Sequence, residues 1–290
     1  MAEADWLSFE NYLDRPATLV TPSAEDALNP ASNVQTINID QFWRVTGLTA
    51  GSTDYSIDID WLEDLEVGAF LMLTPRANST RLGDFHLSIG RTDTVRWQFW
   101  ADGLDPLIDP ATIDTGVLQA DVHEGYGYHA PVPPVAPFMA RYCRVTIDAI
   151  SRAEIIVGPL VELGYADISR IWVGPRFDPD NNHTYRHREG WKTASLVARN
   201  QREASTQVDH GAHYRFWNVT YSGITDAETV QWRRFIRLVG DDNQFVLARS
   251  RNAGDIAEEI MLCMRQNPDD GLESVGPDFW ELPVNVLEAL

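Results

Sequence analysis

Two pairs of carboxylates are the residues whose type and spacing most directly suggest catalysis. Asp58 and Asp60 are two positions apart in a segment that alternates polar and apolar residues, and Glu63 and Asp64 follow shortly after. Glycosidases use two such acids, one as proton donor and one as nucleophile or base. Alternation places Asp58 and Asp60 on the outward face of a β-strand. Because the chain contains 43 acidic residues, we interpret both pairs as a solvated strand face and predict no catalytic residue.

A second polar group surrounds two histidines. His183 and His187 are four positions apart in the segment 178–189, where two aspartates and an asparagine precede them. Imidazole and carboxylate groups bind metal ions, and alternating Asp and Asn open many calcium loops. A proline and a glycine frame the segment as a loop, however, and the glycine that a calcium loop needs at its sixth position is absent. We predict no metal site, and leave open whether this loop binds an ion.

Aromatic residues in a glycine-rich loop suggest a different chemistry, the binding of sugars. Tyr126 and Tyr128 alternate with glycines, and His123 and His129 flank them. Exposed aromatic rings stack on the apolar faces of sugar rings, and imidazoles bind hydroxyl groups. We predict a possible glycan-contact loop formed by these four residues.

Other catalytic and cofactor chemistries are excluded by missing motifs. The sequence has no Gly-x-Ser-x-Gly nucleophile elbow and no phosphate-binding loop, and Lys192 is its one lysine. We therefore predict a protein that is not an enzyme and that needs no cofactor.

Charge and composition limit the partners. The formal net charge is −20, so we expect no stable complex with nucleic acid. The first residues lack the basic start and apolar core of a signal peptide, and no apolar run is long enough to span a bilayer, so we expect neither secretion nor membrane insertion. Cys143 and Cys263 lie 120 positions apart in apolar stretches, which favours two reduced, buried thiols in a cytoplasmic environment.

The elements that must position these residues are mostly strands. Period-two alternation predicts strands at Val34–Ile39, Tyr55–Trp61 and Val95–Phe99, among others. Prolines and glycines between residues 102 and 137 predict a long loop over this scaffold. Around eight short strands favour an N-terminal β-sandwich of jelly-roll type.

The second half has strands and one helix with clear end signals. Thr225 and Glu228 form a capping-box pattern, and Gly240 ends an apolar stripe, which predicts a helix over 226–239. We predict a mainly β fold in which a smaller β-barrel or split sheet carries this helix.

The predicted domain organisation has four parts. They are an N-terminal arm at 1–33, a β-sandwich at 34–175, a β-barrel domain at 176–266 and a C-terminal extension at 267–290. The extension is proline-spaced, and Phe279, Trp280, Leu282 and Leu287 are its apolar candidates for assembly contacts.

The second half also resembles a known family. The matching segments are Gly174–Asn182, Gly190-Trp191, Ser195, Tyr214–Trp217, Ile224–Glu228 and Arg237–Gly240. This pattern, over roughly 138–265, is similar to distal-tail or minor-tail proteins of the tail tip of long-tailed bacteriophages. The chain departs from the family pattern at 209–213, where Asp-His-Gly-Ala-His replaces an arginine-rich run.

The resemblance implies a structural virion component in which a tail-type β-barrel carries a galactose-binding-like or other β-sandwich. Such a part would be assembled in the host cytoplasm, would sit at the virion tail tip, and would form a ring, a hexamer or alternatively a trimer. It would join the tail tube to hub or fibre proteins. We expect free strand edges at Lys192–Ala198 and Gln244–Arg249 to pair between subunits. The alternative function is a carbohydrate-binding module, with a glycoside hydrolase as the third choice.

Overall fold

The structure is a computed structural model, and it describes a set of residue ranges within the chain. These are 5–47, 55–73, 94–119, 128–129, 136–148, 165–184, 187–193, 196–199, 205–208, 213–240, 242–249, 259–266 and 271–289. Within them the fold is mainly β with sandwich-like sheets and one described α-helix, which confirms the predicted fold class.

The described residues before position 175 form twelve strands and two short 3-10 helices. The 3-10 helices are Tyr12–Asp14 and Ala31–Gln35. The strands are β1 (Trp6–Ser8), β2 (Leu19–Pro22), β3 (Trp43–Thr46), β4 (Tyr55–Val67), β5 (Ala69–Leu73), β6 (Thr94–Trp100), β7 (Ile113–Asp114), β8 (Leu118–Gln119), β9 (Tyr128–His129), β10 (Phe138–Asp148), β11 (Tyr165–Ile168) and β12 (Arg170–Gly174).

From residue 175 onward the described residues form eight strands and the α-helix. They are β13 (Arg188–Thr193), β14 (Leu196–Arg199), β15 (Ser205–Val208), β16 (His213–Thr225), α1 (Thr229–Val239), β17 (Phe245–Ala248), β18 (Ile260–Arg265), β19 (Glu273–Gly276) and β20 (Phe279–Glu288).

The sandwich has a six-stranded antiparallel sheet on one side. Its order is β2-β4-β10-β6-β7, with β8 also paired to β6. The small sheets β11-β3 and β12-β5-β9 contribute residues to the same hydrophobic core. Alternation fills that core, because Ile57, Ile59, Trp97 and Phe99 point inward and are at most 1% exposed.

The C-terminal sheet contains a strand from the start of the chain. Its order is β1-β17-β18-β20-β16-β13, and β19 pairs with β20. Helix α1 packs on one face through Trp232, Phe235 and Val239. On the other face, Trp6 of β1 joins a cluster with Leu71 and other residues of the sandwich. Among the described strands this is one open sheet covered by one helix.

The predicted N-terminal arm therefore takes part in the C-terminal sheet. Trp6, Leu7 and Ser8 pair with Ala248, Leu247 and Val246. Leu7 also exchanges two backbone hydrogen bonds with Phe177, of 2.7 and 2.8 Å. Strand β17 thus has a neighbour on each side, so the prediction of a free edge at Gln244–Arg249 is wrong.

The predicted C-terminal extension also belongs to this sheet. Strand β20 lies between β18 and β16, and Leu282 is fully buried in the core beneath helix α1. Proline spacing suggested a wrapping tail, but Pro283 is tolerated in a paired strand whose alternate residues are buried. The structure places residues 279–288 inside the sheet and not in a separate tail.

Two local expectations need correction. A 3-10 helix over Ala31–Gln35 replaces the strand predicted at Val34–Ile39. Pro30 precedes it, and Asn33 donates a side-chain hydrogen bond to the Phe42 carbonyl at 2.9 Å, a local interaction that competes with strand pairing.

Helix α1 starts at Thr229, three residues later than predicted, because residues 226–228 form a turn. The N-cap is therefore Glu228, which makes no side-chain capping bond, and not Thr225 as predicted. The Thr225 hydroxyl accepts from the Glu228 amide at 3.4 Å in the turn before the helix. The helix ends as expected at Gly240, whose φ of 50° suits glycine.

Candidate binding face of the sandwich

The six-stranded sheet of the sandwich carries an ordered array of polar side chains on its solvent side. We call this array the outer face. Its members are Asp58, Asp60, Arg96, Gln98, Asp114, Tyr142 and Arg144, with Arg141 at its edge. Their neighbours along each strand point into the core, so the period of the strands alone aligns these side chains. Asp58, Arg144, Gln98 and Asp114 are consecutive partners in register across β4, β10, β6 and β7.

The centre of the outer face is a bidentate ion pair. Arg144 Nε and Nη2 donate to the two carboxylate oxygens of Asp58 at 2.6 and 2.9 Å. These hydrogen bonds raise the pKa of the Arg144 guanidinium. The guanidinium carbon also lies 5.8 Å from the ring centroid of Trp100. The two hydrogen bonds hold both side chains in place. Both side chains are also partly exposed and can be reached by solvent.

A second arginine joins two carboxylates at the edge of the same face. Arg141 Nε and Nη2 bind Asp60 at 2.9 and 3.0 Å, and Nη1 binds Asp102 at 2.7 Å. Hydrogen bonds to Asp60, then to Asp102, raise the pKa of this guanidinium. The same contact lowers the pKa of Asp102. The guanidinium carbon lies 4.6 Å from the centroid of the Tyr142 ring.

The third arginine is held on the neighbouring strand. Arg96 makes a bidentate contact with Asp114, and Gln98 Nε2 donates to the same carboxylate at 3.3 Å. The bond from Arg96, followed by the amide of Gly116, lowers the pKa of Asp114 below its ordinary range even though burial opposes this. Asp114 is therefore a fixed, charged acceptor.

The loop after β6 borders the outer face. Trp100 is buried beneath it, and its indole N–H donates to the Asp109 carbonyl at 2.9 Å. The Asp102 amide donates to Asp64 at 2.7 Å, which ties the loop to β4. The loop is therefore fixed at one border of the outer face.

This arrangement does not suit the hydrolytic function that was the third choice. A glycosidase needs one carboxylic acid that donates a proton and a second carboxylate that is free to attack or to take one up. Asp58 and Asp60 each receive two arginine N–H groups. What the outer face offers is a set of fixed donors and acceptors for hydrogen bonds.

The structure describes part of the predicted glycan-contact loop. His123 and Tyr126 lie outside the described residues, and only the backbone of Tyr128 is described. Tyr128 and His129 form β9, which pairs with β5, and the His129 side chain is buried. His129 is therefore not the exposed ring that the prediction requires.

The four predicted assembly contacts fall in different environments. Phe279 is 51% exposed at the start of β20, whereas Leu282 is fully buried and cannot contact another subunit. Trp280 is half-buried, and its indole N–H donates to Asp226 at 2.7 Å. Leu287 is half-buried on the face of the sheet opposite to helix α1.

The two histidines of the segment 178–189, His183 and His187, make structural contacts. His183 Nδ1 lies 2.6 Å from Asp5 Oδ2, and its backbone amide donates to the same oxygen at 3.0 Å. Its ring meets His187 edge to face, with centroids 4.9 Å apart. Among the described residues, no group of three or more His, Cys, Asp or Glu side chains is placed to hold a metal ion. The described helix is also too short to cross a bilayer.

Both cysteines are buried and unpaired with each other, as predicted. Burial raises the pKa of each thiol well above its usual value. Neither thiol has the low pKa of a reactive nucleophile.

Sequence reasoning found the acids of the outer face but missed their partners. Asp58 and Asp60 were predicted to point outward, but no basic partner was predicted for either. Arg141 lies at a register shift between Ala140 and Tyr142, and its side chain pairs with Asp60 on the outer face. The available signal was the outward position of Arg96 and Arg144 in alternating strands, opposite a strand of outward aspartates.

No protein-family model matches this chain, and no curated protein matches it. Solved structures with partial similarity include a family 32 carbohydrate-binding module from Clostridium perfringens NanJ in complex with galactose. It is 14% identical, with 59% of this chain and 99% of that chain covered and a TM-score of 0.39.

A fucose-binding module of Streptococcus pneumoniae is 10% identical over 57% of this chain and 94% of that chain, with a TM-score of 0.36. A Ruminococcus gnavus fucosidase of glycoside hydrolase family 29, in complex with fucose, is 11% identical over 59% of this chain and 28% of that chain, with a TM-score of 0.38. Similarity at this level gives no information about a ligand or an activity of this chain.

Proposed function

We propose that this protein is a non-catalytic carbohydrate-binding protein, and that the outer face of the sandwich is its binding surface. The observation that carries the proposal is the array of three arginine–carboxylate pairs, Arg96–Asp114, Arg141–Asp60 and Arg144–Asp58, fixed on paired strands. Sugar hydroxyls both donate and accept, so they bind where charged donors and acceptors alternate at fixed positions.

The side chains of the outer face are fixed before a ligand binds, which favours a ligand that binds weakly, such as a glycan. Each guanidinium is held by at least two hydrogen bonds. Neighbouring strands are about 4.8 Å apart, a spacing comparable to the width of one sugar ring. A ligand therefore meets side chains that lose little rotamer freedom on binding. Tyr142, half-buried beside Arg141, adds an aromatic ring to the outer face.

Charge defines the class of glycan. The three arginines of the outer face are each matched by a carboxylate, and the whole chain has a formal net charge of −20. An anionic polysaccharide would be repelled at long range. A neutral oligosaccharide is the expected ligand.

A glycan array with the full chain and two arginine variants tests this proposal. Arg144→Gln breaks the central pair of the outer face. We expect it to lower the affinity for neutral glycans by about tenfold or more, because it removes one charged hydrogen-bonding group. Arg237→Gln changes an exposed arginine of helix α1 and is the matched control, for which we expect no change.

The predicted loop gives a second arm of the same experiment. Loss of binding in the double variant Tyr126→Ala, Tyr128→Ala with retention in Arg144→Gln would assign the site to that loop. Release of reducing ends that stops in Asp58→Asn would show a hydrolase, against the proposal.

A second candidate function is assembly at a phage tail tip, in the virion, as a ring that joins the tail tube to hub or fibre proteins. The observation that favours assembly is an apolar pair on an ordered loop, Leu107 and Ile108, which are 82% and 80% exposed. Exposed apolar side chains on an ordered surface are typical of protein contacts. The comparisons with known proteins offer no support for the tail-tip assignment, which depends on the sequence resemblance.

Native mass spectrometry of the full chain tests the second candidate. Six copies in one closed species, or alternatively three, are expected for a ring. A monomer at tens of micromolar, with and without a purified tail-tube protein, would contradict it.

A further inference from the structure

An apolar row with basic flanks crosses one half of the C-terminal sheet. Met264, Leu287, Phe216 and Gly190 are consecutive cross-strand partners on β18, β20, β16 and β13, and we call them the Phe216 row. Their neighbour Trp217 points to the opposite face, into the core beneath helix α1. All four residues of the row are half-buried.

The rest of this face is covered by the sandwich. Trp6, Val246 and Ile260 of β1, β17 and β18 pack against Leu71 and Trp172. The cover reaches Met264, which lies at the border of that cluster. Phe216 and Leu287 lie beyond it, on β16 and β20, so the row extends from the covered half of the sheet towards the edge strand β13.

Two cations stand on either side of the central ring. The Lys192 Nζ lies 5.1 Å from the Phe216 centroid, and the Arg188 guanidinium carbon lies 5.8 Å from it. Gly190 makes room for the ring, since a Cβ there would lie 2.9 Å from Phe216 Cε1. Lys192 is the one lysine of a chain with 43 acidic residues, so this basic group is a local exception in an acidic molecule.

The loop after β6 carries the complementary chemistry. Leu107 and Ile108 are the apolar pair at its tip, and Asp105 and Asp109 stand on either side of them in the sequence. The loop is ordered by its own aspartates: Asp105 Oδ1 accepts from the Leu107 amide at 2.9 Å, and Asp109 Oδ2 accepts from the Asp105 amide at 2.8 Å. The tip is therefore fixed before it meets a partner.

We propose that this tip docks on the Phe216 row of a second copy of the chain. Leu107 and Ile108 would cover Phe216 and Leu287, and the flanking aspartates would face Arg188 and Lys192. Apolar contact at the centre with opposite charges at the rim is the usual anatomy of a protein interface.

The proposed contact joins two different surfaces of the chain. Such a heterologous contact generates a ring if the rotation between copies closes, and a filament if it does not. The inference thus rests on the self-association of the second candidate function and names the two surfaces that would make it.

Sedimentation velocity of the full chain tests the contact with one variant on each surface. Ile108→Asp places a charge in the apolar tip, and Lys192→Glu reverses a charge beside the row. We expect the wild type to form oligomers at tens of micromolar, each variant alone to be monomeric, and an equimolar mixture of the two to form a dimer and nothing larger. In the mixture one productive contact remains, between the intact tip of one chain and the intact row of the other.

A control variant and higher salt complete the design. Leu28→Asp alters an exposed leucine outside both surfaces and should leave the wild-type assembly unchanged. Raising salt from 0.05 to 0.5 M, roughly a threefold shorter screening length, should weaken the assembly because charges face each other at its rim.

These measurements distinguish failure of the proposed contact from failure of self-association itself. A wild type that stays monomeric would overturn both. Wild-type oligomers that persist in both variants would overturn the proposed contact while self-association stands. If oligomers persisted in both variants and Lys192→Glu abolished the binding of poly-glutamate, the Phe216 row would be a site for acidic peptides and not for a second copy.

Discussion

Arginine–carboxylate pairs occur in two very different settings in this molecule. In the sandwich, Arg144 and Asp58 lie on the outer face, with 23% and 44% of their side chains exposed. In the C-terminal sheet, Arg215 and Glu288 are 4% and 0% exposed, and Arg215 Nε and Nη2 bind Glu288 Oε1 at 3.1 and 3.0 Å. The same chemistry is available to a ligand in one region and closed to it in the other.

The exposure of an ion pair determines how much it contributes to stability and whether a ligand can reach it. An exposed pair contributes little to folding, since water competes for its partners. A buried pair is costly to break, because removal of one member leaves a desolvated charge. We therefore expect the C-terminal pair to be structural, and the pairs of the outer face to matter mainly for binding.

Removal of the buried carboxylate should have the largest effect. Glu288→Ala leaves Arg215 without its carboxylate partner in a buried site, and we expect a loss of about 3–5 kcal/mol in the free energy of unfolding. Urea denaturation measures this. Glu281→Ala, on the same strand but half-buried, is the control and should cost less than half as much.

The strand from the N-terminus provides the next largest effect. Leu7 of β1 is fully buried in the C-terminal sheet, so Leu7→Ala should lower the free energy of unfolding by about 2–5 kcal/mol. Leu19→Ala on β2, where the leucine is mostly exposed, should change it little. Equal effects in denaturant titrations would show that β1 is not part of the folded core.

The start of helix α1 gives a smaller effect. The Thr225 hydroxyl accepts from the Glu228 amide, so Thr225→Ala should cost roughly 0.5–2 kcal/mol. Thr220→Ala, on the same strand away from the helix, serves as the control. An unchanged midpoint in urea would show that this hydrogen bond does not stabilise the start of the helix.

The exposed pairs should have the smallest effect on stability. Arg144→Gln should lower the free energy of unfolding by less than about 1 kcal/mol, well below the loss in Glu288→Ala. A loss as large as that of the buried pair would mean that the outer face is structural, and would remove the contrast between the two regions.

The outer face should also respond to pH in a defined direction. The pKa of Asp114 is lowered in the folded chain by Arg96, so its favourable contribution is complete above about pH 4 and disappears as pH falls through the lower, folded value. NMR titration of the Asp114 carboxyl carbon checks this. In Arg96→Gln the midpoint should move up towards the ordinary aspartate value.

Much of the fold was predictable from the sequence because alternation is a local signal. The inward residues of β4 and β6 are buried as their pattern indicates, and Thr225 with Gly240 marks the helix closely. What the sequence did not show depends on distant parts of the chain. The pairing of β1 with β17 joins segments some 240 residues apart, and no local pattern in Trp6–Ser8 names its partner.

The candidate site was predictable only in part, for the same reason. The outward aspartates of β4 could be read directly, but the choice of arginine for each depends on register between β4 and β10 and on the shift near Arg141. The aromatic loop attracted attention by residue type, whereas the buried position of His129 follows from its pairing with β5.

Binding of a neutral glycan by Arg144→Gln and Ile108→Asp, measured side by side with the wild type by isothermal titration, tests the central claim most directly. The ligand is the strongest neutral oligosaccharide from the array. The account predicts about tenfold or greater loss in Arg144→Gln and wild-type affinity in Ile108→Asp, because the outer face and the loop tip serve different partners. Wild-type affinity in Arg144→Gln, in a protein that folds normally, would contradict the claim that the outer face is the binding surface.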